Sequence, residues 1–129
     1  MTMSKTSLTG QILMMAVAMA SMTSATGVRA ADSVKETFDW YCAQCHGENG
    51  TGTGVNSVPE LPVGPMDLTN PKEMERYPGA KIIKTLTQGG PVNTLDPLMP
   101  PWGNRFTASE LEALKDYVLS LCTDPACVK

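Results

Sequence analysis

The 129-residue chain has one histidine, His46, and only two phenylalanines and two tryptophans. A single histidine excludes bis-histidine ligation of any metal within the chain. Cations are also scarce: 10 Lys and Arg face 13 Asp and Glu, a net charge of −3. Nucleic acid and anionic lipid surfaces reward clustered positive charge, so neither is an expected partner; a charge-steered partner should present a basic docking patch. There is no internal repeat, no low-complexity run and no segment that alternates at period two with β-branched enrichment. The expected class is therefore all-α. No apolar run approaches the ~20 residues that cross a bilayer core of about 30 Å, so stable membrane insertion is not expected.

Lys5, the apolar stretch Ile12 to Ala20 and the small residues after it, ending in Val28-Arg29-Ala30, read as a secretory signal. Residues 1–30 are expected to be cleaved; an uncleaved anchor is the alternative, opposed by the shortness of the run. Residues 31–129 then form one domain of 99 residues, with a two-cysteine tail starting at Cys122. Losing Lys5 and Arg29 leaves eight cations against 13 acids, a charge of about −5. A core of this size is often supplemented by disulfides, a metal or a cofactor.

Helix signals divide the domain. Ser33 and Glu36 form a capping-box pattern, after which Val34, Phe38, Tyr41, Cys42 and Cys45 share one helical face. Asn70, Pro71 and Glu73 open a short helix. Pro78 opens another, with Ile82, Ile83 and Leu86 inward and Gly89-Gly90 as its stop. Thr107 and Glu110 form a second capping box, before a helix to about Leu121 that buries Leu111, Leu114, Val118 and Leu121.

The chemistry concentrates in Cys42-Ala43-Gln44-Cys45-His46. A thioredoxin-like thiol pair would want a βαβ context, and none is visible. A four-cysteine zinc site would have to recruit Cys122 and Cys127 across a spacer of 76 residues, where ~15 to 20 is usual. Covalent haem accounts for more of the residues. Cysteines at i and i+3 on a helix can each add to one vinyl group on one porphyrin edge, and the adjacent histidine then lies beneath the iron.

With His46 on one side of an iron, the candidates for the other side are Met66, Met74 and Met99. Met74 lies between charged neighbours and reads as a partly exposed gap filler. Met66, in LPVGPMDLTN, is only twenty residues past His46. Met99, in DPLMPPWGN, sits in a proline-stiffened loop that has lost much of its entropy before folding, which suits holding a thioether on iron. Filling core space is its plain alternative role.

CAQCHG, the following ENGTGTG, LPVGPMDLTN, the QGG helix stop and LMPPWGNRFTASELEALKDYVLSL together resemble the small monohaem class I c-type cytochromes of bacterial periplasms, over Val34 to Leu121. The resemblance implies three to five helices wrapped round one covalent haem c, held by Cys42 and Cys45 with His46 and Met99 as axial ligands. It also implies crossed terminal helices meeting near Phe38 and Tyr117, and single-electron transfer in the periplasm by a monomer serving redox protein partners. Members of that family commonly use a proline carbonyl to accept the Nδ1 hydrogen of the proximal histidine; Pro62, with Pro59 close behind, is the expected residue. Trp102 or Arg105 is expected at a haem propionate, with ordinary packing and a solvated charge as their alternatives.

The CTDPACVK tail departs from the family pattern. Val128 follows Cys127 where a second haem would need histidine, so a Cys122–Cys127 disulfide is expected in an oxidising compartment, free or intermolecular thiols being the alternative. Six-coordinate iron has no open position for substrate. The pairs Glu73/Glu75 and Glu110/Glu112 are i, i+2 neighbours, more in keeping with solvated faces than with an acid–base couple. A free electron carrier is the expectation, and a loose similarity to the small cytochromes that accompany nitrite reductases is one setting for it. A haem-bearing subunit of a larger oxidoreductase and a small-ligand sensor with a labile Met99 are the alternatives.

Overall fold

A computed structural model describes residues 30–127, so the expected signal segment, residues 1–30, lies outside the described residues except for Ala30. Five α-helices, α1 (Ala30–Tyr41), α2 (Ala43–His46), α3 (Pro71–Met74), α4 (Gly79–Gln88) and α5 (Ala108–Leu121), are joined by loops and two 3-10 turns, with no strand among the described residues. The all-α expectation holds.

α1 starts at Ala30, before the expected Ser33 cap. Ala30 and Ala31, the best of helix formers, precede Ser33 and carry the helix past a residue that would otherwise start it. Ser33 lies inside the first turns, where its carbonyl accepts the Thr37 hydroxyl at 2.9 Å. α1 runs almost without interruption into α2. The Cys42 amide still bonds the Phe38 carbonyl at 2.8 Å, and the His46 amide bonds the Cys42 carbonyl at 2.9 Å. The helical spacing read from the sequence thus places Phe38 and Cys42 in the core and Val34 against it. Tyr41, expected inward, lies at the surface, where it packs edge-on against Trp102 and Phe106 at 5.6 and 5.3 Å between ring centroids.

α5 has both halves of the expected capping box. The Glu110 amide donates to the Thr107 hydroxyl at 3.3 Å, and the Thr107 amide donates to Glu110 at 2.7 Å. Its stripe, Leu111, Leu114 and Val118, is buried. α5 packs on α1 and α4, and the Phe38 and Tyr117 rings meet at 5.1 Å across the α1–α5 contact. Asn70 caps α3 by accepting the Lys72 amide at 3.0 Å. Beyond α5 the structure joins Cys122 to Cys127, with Cα atoms 6.0 Å apart, and the turn they close packs on α3. Met74 is only 2% exposed in the same core as both cysteines, so it is interior packing rather than a partly exposed filler. Its charged neighbours in sequence misled because α3 is so short that one turn carries both the core contact and the solvent face.

The loop after α2 folds back over that helix. The amides of Gly52, Gly54 and Asn56 donate to the carbonyls of His46, Cys45 and Gln44 at 2.8, 3.0 and 2.8 Å. Three carbonyls that the helix end leaves without partners are thereby satisfied. Such an approach leaves no room for side chains: a Cβ on Gly54 would run into the backbone carbonyls of Ala43 and Gln44, and one on Gly52 would lie 2.5 Å from the Pro65 carbonyl oxygen. Gly54→Ala is therefore expected to lower thermal stability by more than about 1 kcal/mol, because the obstructing atoms are backbone. Gly64→Ala, which meets nothing within 4 Å, should be neutral or slightly stabilising. Thermal unfolding of the two variants beside the parent chain measures the difference; equal melting temperatures would contradict the close approach.

Candidate haem site

The α1–α2 junction sets Cys42, Cys45 and His46 at positions i, i+3 and i+4 of one helical turn, and the glycine loop fixes the carbonyls behind them. Cys42 is buried and Cys45 half-buried, and neither is in a disulfide. Burial, with a smaller contribution from Cys45, pushes the Cys42 thiol up to about 12. A redox-active thiol pair needs a depressed pKa that keeps a thiolate ready. This site does the reverse. Among the described residues no group of three or more His, Cys, Asp or Glu side chains is placed to hold a metal ion, so the two cysteine pairs do not converge on a zinc centre.

His46 lies against Met66: its Nδ1 is 3.1 Å from the Met66 carbonyl oxygen. A carbonyl can only accept, so Nδ1 carries the hydrogen and Nε2 keeps its lone pair. Burial lowers the His46 pKa, partly offset by that hydrogen bond, and the ring is favoured as neutral imidazole, the form that ligates metals. The expectation that Pro62 or Pro59 supplies this carbonyl is corrected. Both prolines are exposed, on a loop whose Val58 and Val63 also face solvent. The chain returns to the site only at Pro65 to Leu68, where the Leu68 amide bonds the Gly50 carbonyl at 2.7 Å. Proline at position 65 stiffens that return, one residue before the acceptor. This was the available signal, and it pointed to the neighbour of a proline.

Met99 is held against the C-terminal end of α4. The Gly90 amide donates to the Met99 carbonyl at 2.9 Å, while the amides of Trp102 and Gly103 cap the Leu86 and Thr87 carbonyls at 2.8 and 3.1 Å. The loop is thus fastened on both sides of Met99, whose side chain is half-buried against the core. Trp102 stacks with Tyr41 and Phe106, and its buried Nε1 has no hydrogen-bond partner. A buried N–H without an acceptor is costly, and a carboxylate-bearing ligand would relieve it. Arg105 is exposed; its Nη2 donates to the Tyr41 hydroxyl at 2.5 Å and its guanidinium lies 5.3 Å from the Tyr41 ring centroid. Tyr41 was not singled out in the sequence as part of this cluster, because its spacing looked like core.

These features fit a covalent haem. Two thiols stand one helical turn apart, a neutral histidine has its outer nitrogen anchored, and an unpartnered indole N–H is buried in the aromatic cluster beside Tyr41.

Residues 29–118 match the family described as cytochrome c oxidase, cbb3-type, subunit III. The chain is 34% identical over 92 residues to the cbb3-type cytochrome c oxidase subunit FixP of Azorhizobium caulinodans, covering 71% of this chain and 27% of that protein. It is 29% identical over 96 residues to the cbb3-type cytochrome c oxidase subunit CcoP of Azospirillum brasilense, covering 74% of this chain and 30% of that protein. The chain therefore spans less than a third of the length of these curated relatives. The match takes in the cysteine–histidine motif, the Met99 loop and most of α5, and on it the chain is a c-type cytochrome belonging to the cbb3-type cytochrome c oxidase subunit III family.

Proposed function

We propose that this chain is the haem-bearing electron-transfer unit of an oxidoreductase complex in the periplasm, holding one haem c through thioethers at Cys42 and Cys45. The observation that carries the reading is the anchored His46 directly after the two thiols. Bound haem would supply one-electron exchange; the residues supply attachment, ligation and exclusion of water. His46 would ligate through Nε2. Met66 gives its carbonyl to the opposite ring nitrogen and so belongs to the same side as His46, and Met74 is packed in the core. Both observations favour Met99 as the sixth ligand, on a loop that the α4 end holds in place. Thioether ligation raises the potential of the haem relative to other axial sets. Trp102 Nε1 is the residue best suited to a propionate, while Arg105 is already engaged with Tyr41.

The family favours a subunit over the free carrier that the sequence alone put first, and the similar proteins are oxidase subunits, which gives no support to a nitrite-reductase setting or to a monomer. Among the described residues no helix is long and apolar enough to cross a membrane. Association would then rest on protein contacts, with the acidic surface meeting a basic partner. Affinity capture of the tagged chain from separated periplasmic and membrane fractions tests this reading. Recovery with the chains of a cytochrome c oxidase supports the subunit; recovery of the chain alone, from the periplasmic fraction, returns the free carrier. In the same material the C-terminal peptide, unreduced, should weigh two hydrogens less than its dithiol form, and ready alkylation without reductant would speak against the Cys122–Cys127 bond.

The ligand assignment has its own test. Oxidised protein should show the weak near-infrared charge-transfer band of methionine-ligated haem. Met99→Ala should abolish it, lower the potential and admit small ligands such as carbon monoxide to the reduced iron, whereas Met66→Ala and Met74→Ala should keep it. Survival of the band in Met99→Ala would assign the ligand elsewhere. A parent protein that binds carbon monoxide readily and lacks the band would favour the ligand-sensor alternative.

A further inference from the structure

The peptide group between Met66 and Asp67 is gripped at both ends. Its carbonyl accepts His46 Nδ1–H at 3.1 Å, and its N–H donates to Glu73 Oε2 at 3.2 Å. Glu73 reaches back from the first turn of α3, whose start is fixed by Pro71 and by the Asn70 cap. The neighbouring carboxylate is used differently. Asp67 Oδ1 accepts the Thr69 amide at 2.9 Å and the Thr69 hydroxyl at 2.6 Å, which closes the turn ahead of α3. Two acidic side chains therefore lie close to this peptide in sequence and structure, and Glu73 is the one bonded to the peptide that holds the histidine.

A peptide group is conjugated, so a negative charge bonded to its N–H shifts electron density toward its carbonyl oxygen. Hydrogen bonds in such a chain strengthen one another. The stronger the acceptor at Met66, the more the imidazole leans toward imidazolate and the better a donor Nε2 becomes. Outer partners of this kind set ring orientation and ligand basicity at metal sites. We infer that Glu73 is a positioning residue for His46, acting through the Met66–Asp67 peptide to fix the ring and to raise the donor strength of its Nε2. The inference rests on the proposed ligation by His46. A better donor stabilises the oxidised state, so Glu73 lowers the reduction potential.

The test uses the haem-loaded protein and compares Glu73→Gln, which keeps an acceptor but removes the charge, with Asp67→Asn, which removes a charge from the adjoining turn without altering the bond to the peptide. Two quantities are read: the reduction potential, and the NMR resonance of the His46 Nδ1 proton in the reduced, diamagnetic protein. Glu73→Gln should raise the potential by a several-fold change in the reduced-to-oxidised ratio, tenfold corresponding to about 59 mV for one electron. It should also shift the Nδ1 proton upfield, as its hydrogen bond weakens. Asp67→Asn should leave that proton in place. An unmoved proton in Glu73→Gln, or equal changes in both variants, would reduce Glu73 to one surface charge among several and overturn the inference. Paramagnetically shifted ring protons of His46 in the oxidised parent report ligation separately; their absence would bring down the ligand assignment itself, whatever Glu73 does.

Discussion

The hydrogen bond from His46 Nδ1 to the Met66 carbonyl is the constraint on which the rest of the site depends. It selects the tautomer, leaves Nε2 without a hydrogen and joins two segments twenty residues apart. Because the partly buried ring has its pKa lowered by desolvation, the bond is made by neutral imidazole at neutral pH. The glycine loop serves this one contact. Its amides satisfy the last carbonyls of α2, and its close passage beside Pro65 brings the Met66 carbonyl within reach. A side chain at Gly52 would push the Pro65–Met66 segment away, and one at Gly54 would push the loop off the carbonyls of α2.

Around that contact the polypeptide packs a core of modest size. Phe38 and Leu114 are fully enclosed where α1 crosses α5, while Met74, Cys122 and Cys127 close the opposite end around α3. Long loops connect the helices, and several of their amides bond the carbonyls at the ends of α2 and α4. Such a frame gives a prosthetic group two jobs, completing the apolar interior and supplying the redox chemistry. The side chains that look wrong for a finished interior are the ones a haem would complete: a high-pKa thiol at Cys42 and an indole N–H of Trp102 without an acceptor.

Much of this was legible in the residue order. Thr107 and Glu110 announced α5 and its capping box, Asn70-Pro71 announced α3, and the i, i+4 spacing of Phe38 and Cys42 gave the buried face of α1, because each is a local rule that tertiary packing did not override. The misses were contacts across loops. The carbonyl expected of Pro62 belongs to Met66, since sequence shows a proline-rich return but not the residue at which the chain touches the ring. Tyr41 has the spacing of a core residue, but helical spacing cannot tell a buried ring from one covered by Trp102 and Phe106 from a distant loop. Ser33 has the chemistry of a cap but lies within a helix that begins earlier. The setting was also beyond the sequence. A carrier and a subunit share the same haem motif, and what separates them is a partner surface that leaves no short signature.

The central claim, that Cys42 and Cys45 hold a haem by covalent bonds, is tested most directly by denaturing gel electrophoresis of protein exported from cells that assemble c-type cytochromes, followed by haem staining. The account predicts that the stain stays with the protein band and is lost from the double variant Cys42→Ala, Cys45→Ala. A band from the parent chain that runs colourless, with the haem released at the dye front, would contradict it.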